Sequence, residues 1–305
     1  SLGYLDQDGI VLNSGTERFT SRLSMNQKTL NDKLTLSGNI NVSQQDDNLT
    51  PYQQTGGFEG GLFTNVMKMN PTLPVYDADG NYTFVSNSVR NPVQAALEID
   101  DVARTLSLTM NGSARLDLGD VVEGLSATVN TGYDTYNTIR KTYLPKSTPY
   151  GVADNGVGSQ KYGQVSSTVL ETYLNYDKEV AGNMLNVMGG YSWQENNYEG
   201  FGATAYEFVT DNYSFNNLDG GGRAQLGDKY SYRGQSRLIS FFGRANYDID
   251  GKLMLTGTVR RDGSSKFGAN NKWGVFPSFA AALRLSEFDF VPESFSDLKL
   301  RAGWG

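Results

Sequence analysis

The fold of this chain is decided by stretches such as LSLTMNGSARL, residues 106–116, in which apolar and polar residues alternate. Leucine, methionine, glycine and alanine occupy the even positions, whereas serine, threonine, asparagine and arginine occupy the odd positions. Successive side chains of a β-strand point to opposite faces. The stretch therefore predicts a strand with one apolar face and one polar face.

The same alternation recurs along the chain in about ten segments. The apolar stripes of the other segments include Leu34, Leu36, Ile40 and Val42; Leu125, Ala127 and Val129; Leu185, Val187, Tyr191 and Trp193; Ile239, Phe241, Ala245 and Tyr247; Leu253, Leu255 and Val259; Phe279, Ala281 and Leu283; and Leu300, Ala302 and Trp304. None of these positions is charged, and Arg115, Arg244 and Arg260 fall on the opposite parity. Since Arg or Lys at the midplane of a bilayer costs about 2–4 kcal/mol, a charge-free stripe is typical of a lipid-facing surface. Arg237 and Arg261 break the parity, and we expect both near strand ends.

The lengths of the segments and of their connections point the same way. The predicted strands run to about 10–14 residues, which suits a tilted membrane strand of roughly 9–11 residues better than a soluble strand of about 5–6. Short connections at 30–33, 118–123, 178–183 and 248–251 alternate with long ones at 44–103, 135–163 and 196–234; the connection at 287–297 departs from this rule. Short turns on one rim and long loops on the other are typical of outer-membrane barrels.

The sequence thus predicts an all-β fold, an antiparallel transmembrane β-barrel, with about ten strands present. Aromatic residues at the interfaces of such a barrel form girdles. We expect Tyr176 and Tyr247 beside the short turns to form one girdle, and Tyr133 and Trp193 beside the long loops to form the other.

Composition narrows the functional classes. The chain has 305 residues, a formal net charge of −7, no cysteine and no histidine. Disulfides, thiolate nucleophiles, zinc–thiolate sites and a serine–histidine triad are therefore excluded for these residues. The absence of basic runs argues against a nucleic-acid partner. We expect no catalytic residue, no metal site and no cofactor, although the many carboxylates leave a two-acid hydrolase formally open.

Several strings are similar to one known family. They are GYLDQDGI (3–10), GGFEGG (56–61), MNPTLPVYD (69–77), LETYLNY (170–176), SRLISFFGRANY (236–247), RRDGSSKFG (260–268) and WGVFPS (273–278). Together they resemble the SusC/RagA-type TonB-dependent transporters of Bacteroidetes outer membranes. The resemblance implies that residues 1–305 form a partial barrel domain, roughly half of a plugged barrel of about 22 strands. The signal peptide, N-terminal β-domain, plug and C-terminal half of the barrel are then expected outside these residues.

The resemblance also implies a function and partners. The expected activity is import of a bulky nutrient, an oligosaccharide or a peptide, across the outer membrane. The expected partners are a SusD-like surface lipoprotein, the TonB complex through an N-terminal segment, and outer-membrane lipid. The alternatives are a TonB-dependent receptor for a siderophore or cobalamin, a passive porin or adhesin barrel, and a soluble carbohydrate-binding β-protein.

Aromatic and amide side chains in the predicted long loops are the candidates for ligand contact. They are Tyr52, Phe58, Phe63, Tyr143, Asn196, Asn197, Tyr198, Phe201, Tyr206 and Asn217. Flat rings and amides suit a sugar or a peptide through stacking and hydrogen bonds; packing between loops, or against a plug, is the alternative for each of them. On the polar parity, Arg115, Arg244 and Arg260 are expected to line the lumen, where they pair with plug carboxylates or border a polar path.

Overall fold

The computed structural model describes residues 1–50, 61–86, 89–292 and 294–305, and its dominant feature is one antiparallel sheet. In this part of the chain the sheet contains twelve strands: β1 (Leu2–Asp8), β2 (Gly15–Thr29), β3 (Leu34–Asn48), β4 (Asp100–Asp117), β5 (Leu125–Leu144), β6 (Val157–Val180), β7 (Asn183–Phe208), β8 (Gly221–Arg223), β9 (Lys229–Ile249), β10 (Leu253–Ser264), β11 (Trp273–Arg284) and β12 (Lys299–Trp304). Each strand pairs with the next, except that β9 pairs with β7 and the short β8 lies beside the end of β7. The all-β antiparallel prediction is confirmed.

The helices are short and lie in the connections. They are α1 (Leu62–Lys68), α2 (Pro92–Glu98) and 3-10 turns at Val152–Asp154, Asp211–Asn216, Leu218–Gly220 and Leu285–Glu287. The side chain of Asn91 caps α2 by accepting hydrogen bonds from the amides of Val93 and Gln94, the usual role of asparagine at that position. Within the described ranges, no helix has the length and hydrophobicity needed to cross a membrane.

Strand register joins the separate stripes into one apolar band. Leu185 pairs with Tyr247, and Tyr247 pairs with Leu255 on the next strand. In the same way Trp193 pairs with Ile239. Directly paired residues of an antiparallel sheet lie on the same face, so the stripes coincide across the sheet and the intervening residues form a continuous polar face.

The β2–β3, β4–β5, β6–β7 and β9–β10 turns lie together at one end of the sheet, as predicted, whereas the short β1–β2 connection at 9–14 lies at the opposite end. The β6–β7 turn consists of Ala181 and Gly182, both with positive φ (53° and 81°). Two successive residues with positive φ fit the right-handed twist of the flanking strands. At the β9–β10 turn, Asp250 and Gly251 also have positive φ (53° and 67°).

The predicted bounds of the long connections are wrong, because the strands continue well beyond the apolar stripes. The β5–β6 connection spans only 145–156, and the β7–β9 connection spans 209–228 with β8 inside it. Past Tyr133 and Trp193 the paired strands carry polar residues on both faces. Apolar and polar residues alternate only where one face of a strand contacts an apolar medium. Backbone pairing needs no such contact, so a strand can continue where the alternation has ended. The girdle residues Tyr133 and Trp193 consequently lie inside strands, where the apolar stripe ends, and not beside loops.

The strands past Tyr133 and Trp193 form what we call the extended end of the sheet. The packed cores are small and lie at this end. One contains Leu62, Ala95, Ala96, Ile99 and Leu144, and it attaches α1 and α2 to the end of β5. Another contains Tyr143, Ala205 and Phe208 and is covered by Phe215 and Leu218 from the connection after β7. These two cores hold the long connections against the extended strands.

Candidate functional site

The polar face of the sheet carries ladders of hydrogen-bonded amides. The Asn111 amide donates to the Asn39 side-chain oxygen (3.3 Å) on the neighbouring strand. The Ser113 hydroxyl donates to the Asn130 oxygen (2.8 Å), and the Asn130 amide donates to the Glu171 carboxylate (3.3 Å). These bonds fix side chains across β3 to β6 and leave a surface rich in donors and acceptors.

A second ladder continues the polar face across the later strands. Asn186 donates to Asn175 (2.9 Å) and accepts from Asn246 (3.0 Å), and the Thr256 hydroxyl donates to Asn246 (3.0 Å). The polar face is therefore lined by largely neutral hydrogen-bonding groups from β3 to β10.

All three arginines predicted for the lumen lie on this polar face. Arg260 is held within the wall: its Nε donates to Asp262 (2.8 Å), its Nη2 donates to Ser240 (2.8 Å), and its guanidinium lies 5.9 Å from the ring centre of Phe242. Arg115 and Arg244 are exposed. The pairing of Arg260 inside the sheet supports a structural role for that side chain.

The placement of the ligand candidates in loops is wrong for six residues. Tyr143 lies in β5, and Asn196, Asn197, Tyr198, Phe201 and Tyr206 lie in β7. The reason is again the extension of paired strands beyond the apolar stripe. Phe63 lies on α1 and is 61% exposed, and Asn217 lies between two 3-10 turns. Tyr52 and Phe58 lie outside the described residues.

The structure does not gather the eight candidates that it describes at one place. In strand alternation Asn196, Tyr198 and Tyr206 fall on the polar face, whereas Asn197 and Phe201 fall on the face of the apolar stripe. The Tyr206 hydroxyl donates to Asp228 (3.1 Å), and its ring centre lies 4.6 Å from the Arg223 guanidinium.

Tyr143 is buried, with 1% of its surface exposed, at the end of β5 beyond the apolar band. Its hydroxyl donates to Asp211 (2.7 Å), and its ring meets Phe208 edge to face (centroids 5.3 Å apart). Burial, followed by the Asp211 carboxylate, raises the pKa of the Tyr143 phenol above its usual value. This side chain anchors the connection after β7.

Two residues outside the sequence-based candidates lie next to Tyr198. Tyr230 and Tyr232 on β9 share its face, and the ring centroids are 6.4 Å apart for Tyr230–Tyr232 and 6.3 Å apart for Tyr198–Tyr232. We call these three residues the tyrosine platform. The signal in the sequence is the alternation in YSYRG (230–234), which the assignment of this segment to a loop hides.

The two arginines that break parity both have partners. Arg237 lies inside β9, not near its end, and its Nε donates to Glu195 (2.5 Å) on the face that carries Trp193. The Arg261 guanidinium lies 4.7 Å from the ring centre of Trp273 on β11. Each charge is therefore matched by a carboxylate or an aromatic ring on the neighbouring strand.

Within the described ranges, no group of three or more acidic, histidine or cysteine side chains is placed to hold a metal ion. The Asp77 carboxylate, in the turn after α1, accepts hydrogen bonds from the amides of Asp79 (3.0 Å) and Asn81 (2.9 Å), which is the usual behaviour of aspartate in a turn.

Comparison with known proteins identifies relatives over the whole chain. No family model matches it. It is 34% identical over 308 residues to TonB-dependent receptor P3 of Formosa agariphila, in an alignment that covers 99% of this chain and 30% of that protein. It is 30% identical over 334 residues to TonB-dependent receptor SusC of Bacteroides thetaiotaomicron, covering 100% of this chain and 31% of that protein. The chain thus spans about a third of the length of these relatives.

A solved structure shares the fold. The RagAB peptide transporter superposes with a TM-score of 0.80 at 22% identity, over 99% of this chain and 34% of that chain. In an outer-membrane barrel the apolar face of the wall contacts lipid and the polar face lines the interior. The chain belongs to the SusC/RagA-type TonB-dependent receptors, which are β-barrel proteins of the outer membrane.

Proposed function

We propose that the full-length protein imports a bulky nutrient through the outer membrane in a TonB-dependent manner, and that residues 1–305 are a partial barrel domain. The observation that carries the proposal is the division of one sheet into an apolar band and a hydrogen-bonded polar face, in a chain similar to TonB-dependent receptors along its whole length. A plug, a TonB-contacting segment and further strands would come from other parts of the protein and complete a barrel of about 22 strands.

The polar face suits the interior of such a transporter. Amide ladders such as Asn111–Asn39 and Asn246–Asn186 present neutral donors and acceptors. A polar plug or a hydrated cargo can exchange hydrogen bonds with such a surface when it moves. Arg115 and Arg244 add exposed positive charge, which suits pairing with plug carboxylates.

The extended end of the sheet suits the docking of a surface partner. The β5 strand continues 11 residues past Tyr133, to Leu144, which corresponds to roughly 36 Å along the strand at about 3.3 Å per residue. We propose that a SusD-like lipoprotein binds at this rim and delivers an oligosaccharide or a peptide. Its support is the similarity to SusC and to the RagAB peptide transporter. The transport step makes and breaks no covalent bond, so no catalytic residue is assigned.

Uptake in a deletion strain tests the proposal. The gene is deleted and then restored with the intact receptor or with a receptor that lacks its TonB-contacting segment. Growth is followed on single oligosaccharides and peptides, and also with iron chelates or cobalamin as the limiting nutrient. We expect growth on one oligosaccharide or peptide to be lost and to be rescued only by the intact receptor. Wild-type growth of the deletion strain on every oligosaccharide and peptide would overturn the proposal, and a defect confined to iron or cobalamin would assign the receptor to those cargoes.

A further inference from the structure

The tyrosine platform lies on the polar face, above the lipid-facing band. Tyr198 is five residues beyond Trp193, or roughly 16 Å along the strand at about 3.3 Å per residue. Register places Tyr198 opposite Gly234 and Tyr232 opposite Gly200. The platform therefore faces the barrel interior near its outer opening.

Each ring of the platform covers a glycine on the paired strand. A methyl group on Gly202 would lie 2.7 Å from Cε1 of Tyr230, and a methyl group on Gly200 would lie 2.7 Å from Cζ of Tyr232. A methyl group on Gly234 would overlap the Tyr198 ring. Glycine at these three positions lets the rings lie down on the backbone with one face turned outward.

The three rings offer exposed area side by side. Tyr198, Tyr230 and Tyr232 are 51%, 43% and 50% exposed. The planes of Tyr230 and Tyr232 are within 4° of parallel. A flat ligand can therefore meet two neighbouring ring faces at once.

Between β4 and β9, two rows of directly paired residues that contain the platform carry only uncharged residues. One row runs through Ser107, Tyr136, Val165, Tyr198 and Gly234, and the other runs through Thr105, Thr138, Gly163, Gly200 and Tyr232. The row of Tyr230, in contrast, contains the charged residues Lys161 and Arg140. The centre of the platform thus lacks a counter-charge for an ionised ligand.

We propose that the tyrosine platform binds the rings of a neutral oligosaccharide, an inference that rests on the proposed import function and specifies its cargo. The C–H face of a sugar ring is apolar and packs on the negative face of a tyrosine ring, and sugar hydroxyls bond to the phenol oxygens. A peptide with charged termini finds no partner in the two neutral rows. The combination of flat rings and a neutral surround favours the sugar.

Binding by the purified full-length receptor in detergent tests this assignment. The probes are immobilised neutral oligosaccharides, oligosaccharides of the same length that contain uronic acids, and short peptides. We expect the receptor to retain a neutral oligosaccharide. Tyr232→Ala and Tyr198→Ala are each expected to weaken that binding about tenfold, as loss of a stacked ring does, while Tyr232→Phe keeps most of it.

Two further variants separate ring stacking from general damage. Tyr162→Ala removes a ring of the opposite face, where Tyr162 packs on Phe201 (centroids 5.2 Å apart), and is expected to leave binding unchanged. Gly202→Ala keeps all three tyrosines but lifts the Tyr230 ring from the backbone, and is expected to weaken binding. Thermal unfolding of each variant confirms that the barrel is intact.

The outcomes distinguish the platform from the import function. Binding that is unchanged by all the platform variants, or weakened equally by Tyr162→Ala, overturns the platform, as does selective retention of peptides or uronic acids. If the deletion strain loses uptake of a peptide, import stands and the platform assignment falls. If the receptor binds a neutral oligosaccharide through the platform but the deletion strain imports everything normally, the platform stands and the import function falls.

Discussion

The guanidinium of Arg237 lies 2.5 Å from the carboxylate of Glu195, on the face of the sheet that carries Trp193 and Ile239 in the adjacent pair. Asn197 also donates to Glu195 (3.0 Å). Placing an ion pair in hydrocarbon costs folding free energy even when an amide also bonds to it, whereas the same pair near water costs little. The pair therefore marks where the lipid-facing band ends on the side of the long connections. Strands β7 and β9 continue beyond that point.

The position of this limit gives the first prediction. Val187 lies inside the band, and Asn197 lies on the same face of the same strand above Glu195. Val187→Arg is expected to destabilise the barrel by about 2–4 kcal/mol, whereas Asn197→Arg should cost about 0–1 kcal/mol. Urea unfolding of the full-length barrel in lipid vesicles measures both. Equal costs at the two positions would show that lipid contact does not end at Trp193.

Much of the sheet is predictable from the sequence because lipid contact imposes a simple rule on side chains. The stripes at Leu185–Trp193 and Ile239–Tyr247 predict the correct strands, and the observed register pairs them as a single band. The tight turn at Asp250 and Gly251 is also recognisable, since this pair favours positive φ.

The extended end of the sheet is not predictable by the same rule. Beyond Trp193 both faces of β7 meet polar surroundings, so the sequence there loses its alternation although the backbone remains paired. For that reason the sequence does not predict the tyrosine platform. Tyr230 and Tyr232 become neighbours of Tyr198 only through the pairing of β9 with β7, which a loop assignment removes.

Glycines at the tight turns give the second prediction. Gly124 has positive φ (83°), its oxygen accepts from the Asp177 amide (2.9 Å), and a methyl group there would overlap the Asp177 carbonyl. Gly182 has a similar φ (81°) but open space around it. Gly182→Ala should cost about 1–2 kcal/mol from backbone strain alone, and Gly124→Ala should cost more because the backbone must also move.

The level of folded receptor in the outer membrane, followed by its resistance to unfolding in SDS on heating, measures this difference. The two variants share the same backbone strain, so the comparison isolates the contact with Asp177. A Gly124→Ala receptor as stable as Gly182→Ala would contradict the close approach of Gly124 to Asp177 on β6.

A buried ion pair gives the third prediction. The Asp101 side chain is fully buried, and Arg140 donates to both of its carboxylate oxygens (2.8 and 2.6 Å). Arg140→Met leaves the carboxylate buried without its partner and is expected to cost about 3–5 kcal/mol. The double variant Asp101→Leu with Arg140→Met should be more stable than Arg140→Met alone, since it removes the stranded charge. Urea unfolding measures both, and a double variant less stable than the single one would contradict this account.

The hydrogen bond from Tyr143 to Asp211 gives a pH-dependent prediction. Burial raises the pKa of the Tyr143 phenol, so the folded state holds the proton more tightly than the unfolded state does. The stabilisation is present in full below the ordinary tyrosine pKa of about 10 and is lost as the pH rises above it. The connection 209–228 should therefore loosen in alkali.

Comparison of the wild-type receptor with Tyr143→Phe tests this relationship. The variant keeps the ring against Phe208 but loses the bond to Asp211, so it should be less stable by about 1–3 kcal/mol at pH 8. Since only the wild type has the phenol to ionise, the gap in thermal stability should shrink between pH 9 and about pH 11. Tyr136→Phe, on an exposed tyrosine of the same strand, is the control and should show no such change. A gap that stays constant or widens with pH would mean that the buried phenol does not stabilise the folded connection.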